Sequence, residues 1–560
     1  MKNKSVSQSA FFYWRTSVGV LFVLTGLCLG LLSIGQFSAK AQRSTLGSNG
    51  ISPAVPAGFD CAQIRNLGLN VQENLRAGAI MIACGEAIGG YTSSPGPAGR
   101  MIDAMSGPLA GPTDVDLINN PSPETGTHVT QSETFAASNP DNTAQLFVAY
   151  NDSRGVFASP INISGGSTST DAGKTWTRLT CPSTSGTCVA GQSPFKNTFG
   201  DPVALYNKAA GTWFAIFLDA GCGGQGIGGY KSTTPTDPLS WTHFCVHTGS
   251  GDDRESGAVD NNPSSAHFGT MYVSWNDFSL GGNLKVTRST DFGVTWTSVQ
   301  LASASPFIRD VQATVDSANG NAFVAGMNEG GGGFNTRSNK LYRSLDGGVT
   351  WTNTYTGPTF AAPGRVLCPN TYFVCMFSGP PGDWRHMGWG QPAVQAGVVN
   401  YVYDQHGAST DPADVYVIRS TDNGATFGTP TKLNTTDTST KANWQPNLSI
   451  DSSNRLVAVW YDEREATATC VKGDETIPCY RMWSAKSNDG GITWSPDAPF
   501  SDVVSPLPGQ PDSGIIAEYA GDYDYSYFAG SHHLHPWVDG RVLVNSASQQ
   551  DVFFGRRHQP

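Results

Sequence analysis

Six arginines in this 560-residue chain stand where they could hold an anion. Arg154, Arg464 and Arg541 each lie two residues after an acid that ends an apolar strand pattern: Asp152, Asp462 and Asp539. Arg254-Glu255, Arg309-Asp310 and Arg385-His386 fall in the links between such strands. A guanidinium offers a planar fork of donors that fits both oxygens of a carboxylate, so several arginines around one pocket would clamp an acidic ligand. Asp201, Glu518, Tyr519, Asp522 and Tyr523 occupy comparable positions and add acids and phenols. Trp389 and Trp444, also in links, offer flat faces for a sugar ring. Each of these has a plainer reading: an aromatic-x-Asp-x-Arg at a strand end makes a turn held by a local ion pair, and a Trp makes core. His532, His533 and His535 resemble a metal cluster in spacing, but strand alternation divides them between two faces, so no metal site is expected there. No cofactor is expected either.

Composition indicates what must position these groups. Charged residues make up 14 % of the chain, against 65 glycines and 34 prolines, which suits an all-β protein with many turns. The net charge of −11 argues against nucleic acid and anionic membrane surfaces as partners, though a local arginine cluster can invert the field at one site. Lys2, Lys4 and Arg15 precede an apolar run, Val18 to Gly35, and Ala39-Lys40-Ala41 supplies small residues at a cleavage site. Residues 1–41 therefore read as a secretory signal cut after Ala41, giving a secreted or periplasmic protein without stable membrane insertion afterwards. An uncleaved anchor is the competing reading, because the run approaches spanning length. Apart from Cys28 the cysteines form local couples: Cys61 with Cys84, Cys181 with Cys188, Cys222 with Cys245, Cys368 with Cys375, and Cys470 with Cys479. An even set in an exported chain reads as disulfides, and no Cys-x-x-Cys pair supports zinc.

The strongest pattern is a repeat. Ser169-Thr170-Asp171-Ala172-Gly173-Lys174-Thr175-Trp176 returns as Ser289–Trp296, Ser344–Trp351, Ser420–Phe427 and Ser487–Trp494, with a worn copy at Ser232–Trp241. Asp171, Asp291, Asp346, Asp422 and Asp489 can satisfy backbone amides within a tight turn, glycine supplies an unusual φ, and Thr and the aromatic begin the next strand. A longer pattern surrounds it, in which an apolar strand ends in an acid at Asp152, Asp219, Asp277, Glu329, Asp404, Asp462 and Asp539. That spacing, roughly 50–80 residues, suits four short strands plus loops.

The repeated octapeptide is identified as the Asp-box, or bacterial neuraminidase repeat, and residues 127–557 or so resemble the sialidase-like β-propeller superfamily. The resemblance implies an all-β propeller of four-stranded blades, with the Asp-box turns between strands three and four. Seven units point to seven blades, with six, the usual number in that family, as the alternative. Residues 127–560 form the propeller. Residues 42–126 read as a linker and cap, helical near Val71–Ala83, in which Asp114–Ile118 could be the strand that closes the ring. In such blades the links between strands two and three share a face with the blade-to-blade links, and the Asp-box turns lie on the opposite face. Binding is therefore expected on the face away from the repeat.

Sialidases clamp a sialic acid carboxylate with three arginines and use a Tyr nucleophile activated by Glu, with an Asp as acid/base. The resemblance thus casts Tyr519 or Tyr523 as nucleophile, Glu518 as its base and Asp201 among the acids, while the family's Arg-Ile-Pro signature is absent. The expected function is action on extracellular glycans or glycoproteins by a monomer, as an exo-α-sialidase-type hydrolase. The alternative is a non-catalytic propeller that binds a glycan or a protein.

Overall fold

The computed structural model describes residues 52–90, 114–119, 124 and 129–558, apart from short interruptions at 187, 378–382, 436–439, 466–470, 473–474, 477–478, 508–509 and 545–546. The signal segment lies outside these residues. Apart from one helix and two 3₁₀ turns, the regular structure is all β. Among the described residues, seven sheets each carry four antiparallel strands, and two of these accept a further short strand at an edge. In the first six the strands follow chain order, as hairpins dictate. Their first strands are Gln131–Asn139, Val203–Asn207, Asp252–Val259, Ile308–Val315, Gln391–Gln395 and Asn443–Ile450. The seventh sheet is assembled from both ends of the chain. Tyr527–Ala529, His532–Asp539 and Asp551–His558 are joined by Val115–Asp116, with Val115 opposite Phe554.

Neighbouring sheets pack through their first strands. That of each sheet touches the next, and Tyr527–Ala529 touches both Asn443–Ile450 and Gln131–Asn139, so the series returns to its start. Ala137, Ala204, Ala258, Ala313, Ala393, Ser449 and Phe528, one from each first strand, line a cavity of about 490 Å³ at the far ends of those strands.

The repeated turns connect third to fourth strands in five sheets. In the first, the Ser169 hydroxyl accepts the Gly173 N–H (2.9 Å) and donates to Asp171 Oδ1 (2.9 Å). Asp171 then accepts the N–H of Lys174 and Thr175 and the Thr175 hydroxyl. The sets at Asp291, Asp346, Asp422 and Asp489 are alike. Gly173 sits at φ +80°, a left-handed backbone that a side chain would strain, and an added Cβ would strike the Phe554 ring. The following aromatics wedge between sheets, with Trp176 4.8 Å from Phe554 and Tyr355 4.4 Å from Phe427.

Four of the five expected cysteine couples form disulfides: Cys61–Cys84, Cys181–Cys188, Cys222–Cys245 and Cys368–Cys375. Cys479 is also disulfide-bonded, and the pairing expected for it involves Cys470, outside the described residues. No helix among the described residues is long and apolar enough to cross a membrane.

Residues 52–90 form no part of the sheets. Cys61–Gln63 is a 3₁₀ turn, and the helix Leu75–Ala83 is capped by Asn74, whose side chain accepts the Ala77 N–H (2.8 Å). Leu75 and Ala79 join the main core, while Ala77 and Ile80 pack on Ile64 and Leu69.

Candidate functional site

The starts of the first strands do not run as regular ladders. Register shifts occur at Ser132/Thr134, Asp253/Ser256, Asp310/Gln312 and Trp444/Asn447. Glu133 (φ 50°), Arg254 (58°) and Gln445 (51°) lie in these bulges with left-handed backbones, and Asp201 (56°) precedes the second sheet's first strand. An inserted residue turns a side chain out of the alternation, and strained non-glycine residues of this kind concentrate where side chains must be aimed. Here they aim polar groups at one buried centre.

Three arginines meet there on one residue, two of them on its carboxylate. Glu73, just ahead of the N-terminal helix, places Oε1 3.0 Å from Arg309 Nε and Oε2 3.3 Å from Arg254 Nη1, and Arg385 donates to its backbone carbonyl. All four residues are at most 1 % exposed. Arg309 also pairs with Asp253 (3.0 Å), and Arg385 with Asp522 (2.9 Å). Among the described residues, Arg254 has no carboxylate partner other than Glu73 within ion-pair distance. Its guanidinium lies over the rings of Tyr523 (4.2 Å) and Trp389 (5.1 Å), and none of its side-chain nitrogens makes a hydrogen bond. Burial pushes the Glu73 carboxyl up while Arg309 and Arg254 pull it back. Burial opposes the charge on Arg309, but Glu73, Glu329 and Asp253 hold that side chain above its ordinary range.

Acids and phenols surround the arginines. Asn151 Nδ2 donates to both the Tyr519 hydroxyl (2.6 Å) and Glu133 Oε2 (2.9 Å), and Asn151 Oδ1 accepts the Asp201 N–H. Asp201 accepts the Arg254 N–H (3.0 Å). Trp389 and Tyr372 both donate to Glu329, at 2.9 and 2.6 Å. Burial raises Glu133, Asp201 and Glu255 well above the usual carboxylate range, and brings Asp310 to about 8. Burial, reinforced by the Glu133 charge, likewise holds Tyr519 and Tyr523 well above 10. The centre thus combines guanidiniums whose charge is reinforced with buried acids and phenols shifted upward by burial.

Of the residues singled out from sequence, Arg254, Arg309, Arg385, Asp201, Trp389, Tyr519, Asp522 and Tyr523 come together here. Glu518 is adjacent, but its carboxyl accepts the Asn370 backbone and its carbonyl accepts the Arg385 N–H, leaving Glu133 as the acid beside Tyr519. Arg154, Arg464 and Arg541 stay with their own sheets. Arg154 binds Asp152 (2.8 Å), Arg464 binds Asp462 (2.8 Å) and Asp497, and Arg541 binds Asp539 (2.7 Å), Asp502 and Asp114. Trp444 lies in a core cluster with Trp384, Tyr461 and Tyr480, fully buried. His533 and His535 share one strand face, are pushed down by burial (His535 to about 3), and meet Ser449 and Ser526. Sequence reading missed Glu73, Glu133, Asn151, Asp253 and Glu329. The run Asp252-Asp253-Arg254-Glu255 carried a signal, since four consecutive charges opening an otherwise apolar strand mark a polar centre.

No known family profile matches the chain, and no curated protein matches it. Solved structures do. A polysaccharide lyase of family PL25, an ulvan lyase, aligns at 10% identity over 81% of this chain and 95% of its own, with a TM-score of 0.43. A protein of unknown function from Dyadobacter fermentans aligns at 14% identity over 83% of this chain and 100% of its own, with a TM-score of 0.36. A Hadza microbial sialidase aligns at 14% identity over 77% of this chain and 65% of its own, with a TM-score of 0.32. Likenesses this distant carry no residue role across.

Proposed function

We propose that the seven sheets are the blades of a seven-bladed Asp-box β-propeller, and that its arginine-lined mouth binds the carboxylate of an acidic glycan outside the cytoplasm. One observation carries the reading: two buried arginines from separate sheets, Arg254 and Arg309, converge on a single carboxylate, a third, Arg385, holds the same residue's carbonyl, and Arg254 has no other carboxylate partner among the described residues. An acidic sugar presents the same group, and Trp389 and Tyr523 supply flat faces beside it. Saturation-transfer NMR reads weak binding and tests this directly. Sialyllactose and a methyl glucuronide should give signals that lactose does not, and Arg254→Lys, which keeps the charge but loses the fork, should weaken them. Equal signals from acidic and neutral sugars, or an unaffected Arg254→Lys, would sink it.

A second reading is hydrolysis of a terminal acidic sugar, favoured by Tyr519 and Glu133 sharing Asn151 within the arginine centre. Tyr519 would attack the anomeric carbon as Glu133 takes its proton, and Asp201 would donate a proton to the leaving oxygen. Its requirement is that Glu133 be ionised when substrate is bound. Turnover of a chromogenic sialoside that disappears in Tyr519→Phe would support it, and no turnover above background would leave binding alone.

A further inference from the structure

The carboxylate that the arginines hold belongs to the protein itself. Glu73 sits in Ser52–Gly90, a segment outside every sheet that lies across the starts of the first strands. Its attachments reach around that mouth: Ser52 to Val156 (2.7 Å), Gln72 to Gln225 (3.1 Å), Glu73 N–H to Asp253 (3.1 Å) and Asn70 to Asn370 (2.7 Å). Further round, the Gly90 N–H donates to the Ile515 carbonyl (2.8 Å). This explains why arginines expected at an open pocket are fully buried. The segment adds only one acid to the centre, and it is the one Arg254 pairs with.

Resting on the carboxylate-binding reading above, we infer that Ser52–Gly90 is a ligand in cis: Glu73 stands where the glycan's carboxylate binds, and the glycan enters only when the segment leaves. The geometry has the features of a pseudo-substrate. Asp253 and Asp522 already pair with Arg309 and Arg385, so without Glu73 the uncompensated group is Arg254, set on a strained bulge with its three nitrogens free of hydrogen bonds. A structural staple needs one such pair, whereas here a single carboxylate bridges two arginines from separate sheets while a third holds the same residue's carbonyl. Occupancy in cis also sets an energetic condition. A competing ligand sees only the fraction of molecules whose segment is released, and its apparent affinity falls by that fraction.

The test uses the full chain with Glu73→Gln, nearly identical in shape, and Glu73→Ala. Binding of sialyllactose and methyl glucuronide is measured by NMR titration, and hydrogen exchange follows the amides of residues 70–83. Glu73→Gln should bind about tenfold more tightly than wild type or better, because the competent fraction rises. Ligand should accelerate exchange of those amides in both proteins. Equal affinities with unchanged protection would overturn the inference while leaving the carboxylate site standing. If neither protein binds an acidic sugar, yet acetate raises the melting temperature of Glu73→Ala and not of wild type, the cis-occupied carboxylate site stands and the glycan reading falls. If acetate has no effect either, both fall.

Discussion

The same side chain, aspartate or glutamate, behaves oppositely in two regions of this molecule. In the repeated turns Asp171, Asp291, Asp346, Asp422 and Asp489 are exposed or half-exposed, and their neighbours' N–H and hydroxyl groups hold them ionised. For Asp291 the Thr295 backbone and hydroxyl bring the carboxyl down to about 2. At the mouth Glu133, Asp201, Glu255 and Asp310 lie in the interior, and burial pushes their carboxyls up, Asp310 to about 8. The turn acid has every partner it needs within eight residues of chain. The mouth acid depends on groups from other sheets. A motif that satisfies itself locally is architecture, however conspicuous. A cluster that must be assembled across the fold, at the cost of burial and strained backbone, is where a ligand has something to change.

Four experiments would break or sharpen that contrast. Arg309→Ala should be the most damaging, because it leaves Glu73 and Asp253 buried without this partner, at about 3–5 kcal/mol by chemical denaturation. Arg464→Ala, whose loss uncovers Asp462 within one sheet, should cost about 2 kcal/mol and leave acidic-sugar binding untouched. If it instead abolished binding in a folded protein, the division between sheet-local and converging arginines would be wrong. Asp291→Ala should cost on the order of 1 kcal/mol for its turn hydrogen bonds, again with saturating binding unchanged. A loss as large as that of Arg309→Ala would erase the distinction between the regions.

The last effect is one of slope. Asp310 rises from 3.8 to about 8 on folding, so between those values the folded protein keeps a proton that the unfolded chain has released. Stability must fall as pH rises through that window. In Asp310→Asn the melting temperature should decline less between pH 5 and pH 8, and an unchanged slope would show Asp310 ionised in place. The turn aspartates run the other way: their contribution is complete above the unfolded value near 4 and is lost as pH falls through about 2.

The contrast also explains what could be read from sequence. The repeated turn was legible because its partners are local: Ser289, Asp291, Gly293 and Thr295 reach one another without any knowledge of the fold. The acids that end the apolar strands were legible as a period, and Asp114–Ile118 as a strand able to close the ring. The arginines were legible only as a set. Arg154 and Arg464 have the same local pattern as a ligand-binding residue would, and only three dimensions show them tied to Asp152 and Asp462. Glu73 was not legible. It lies in a stretch without strand periodicity, and its meaning comes from Arg254 and Arg309, about 180 and 240 positions away in the chain, a separation no local pattern records.

The strand Val115–Asp116 has a consequence for the order of events in folding. It precedes the first sheet in the chain and pairs with Asp551–His558, which follows the strands of all the other sheets. Every other four-stranded sheet can form from a continuous piece of chain as soon as that piece exists. The seventh cannot, because its outer strand must wait for a partner more than four hundred residues later in the chain. Closing that longest loop carries the largest entropic cost and gains its contacts last. Six sheets with an open seam are therefore what the chain can form before Asp551–His558 is available to pair, and a chain lacking that strand would stop there.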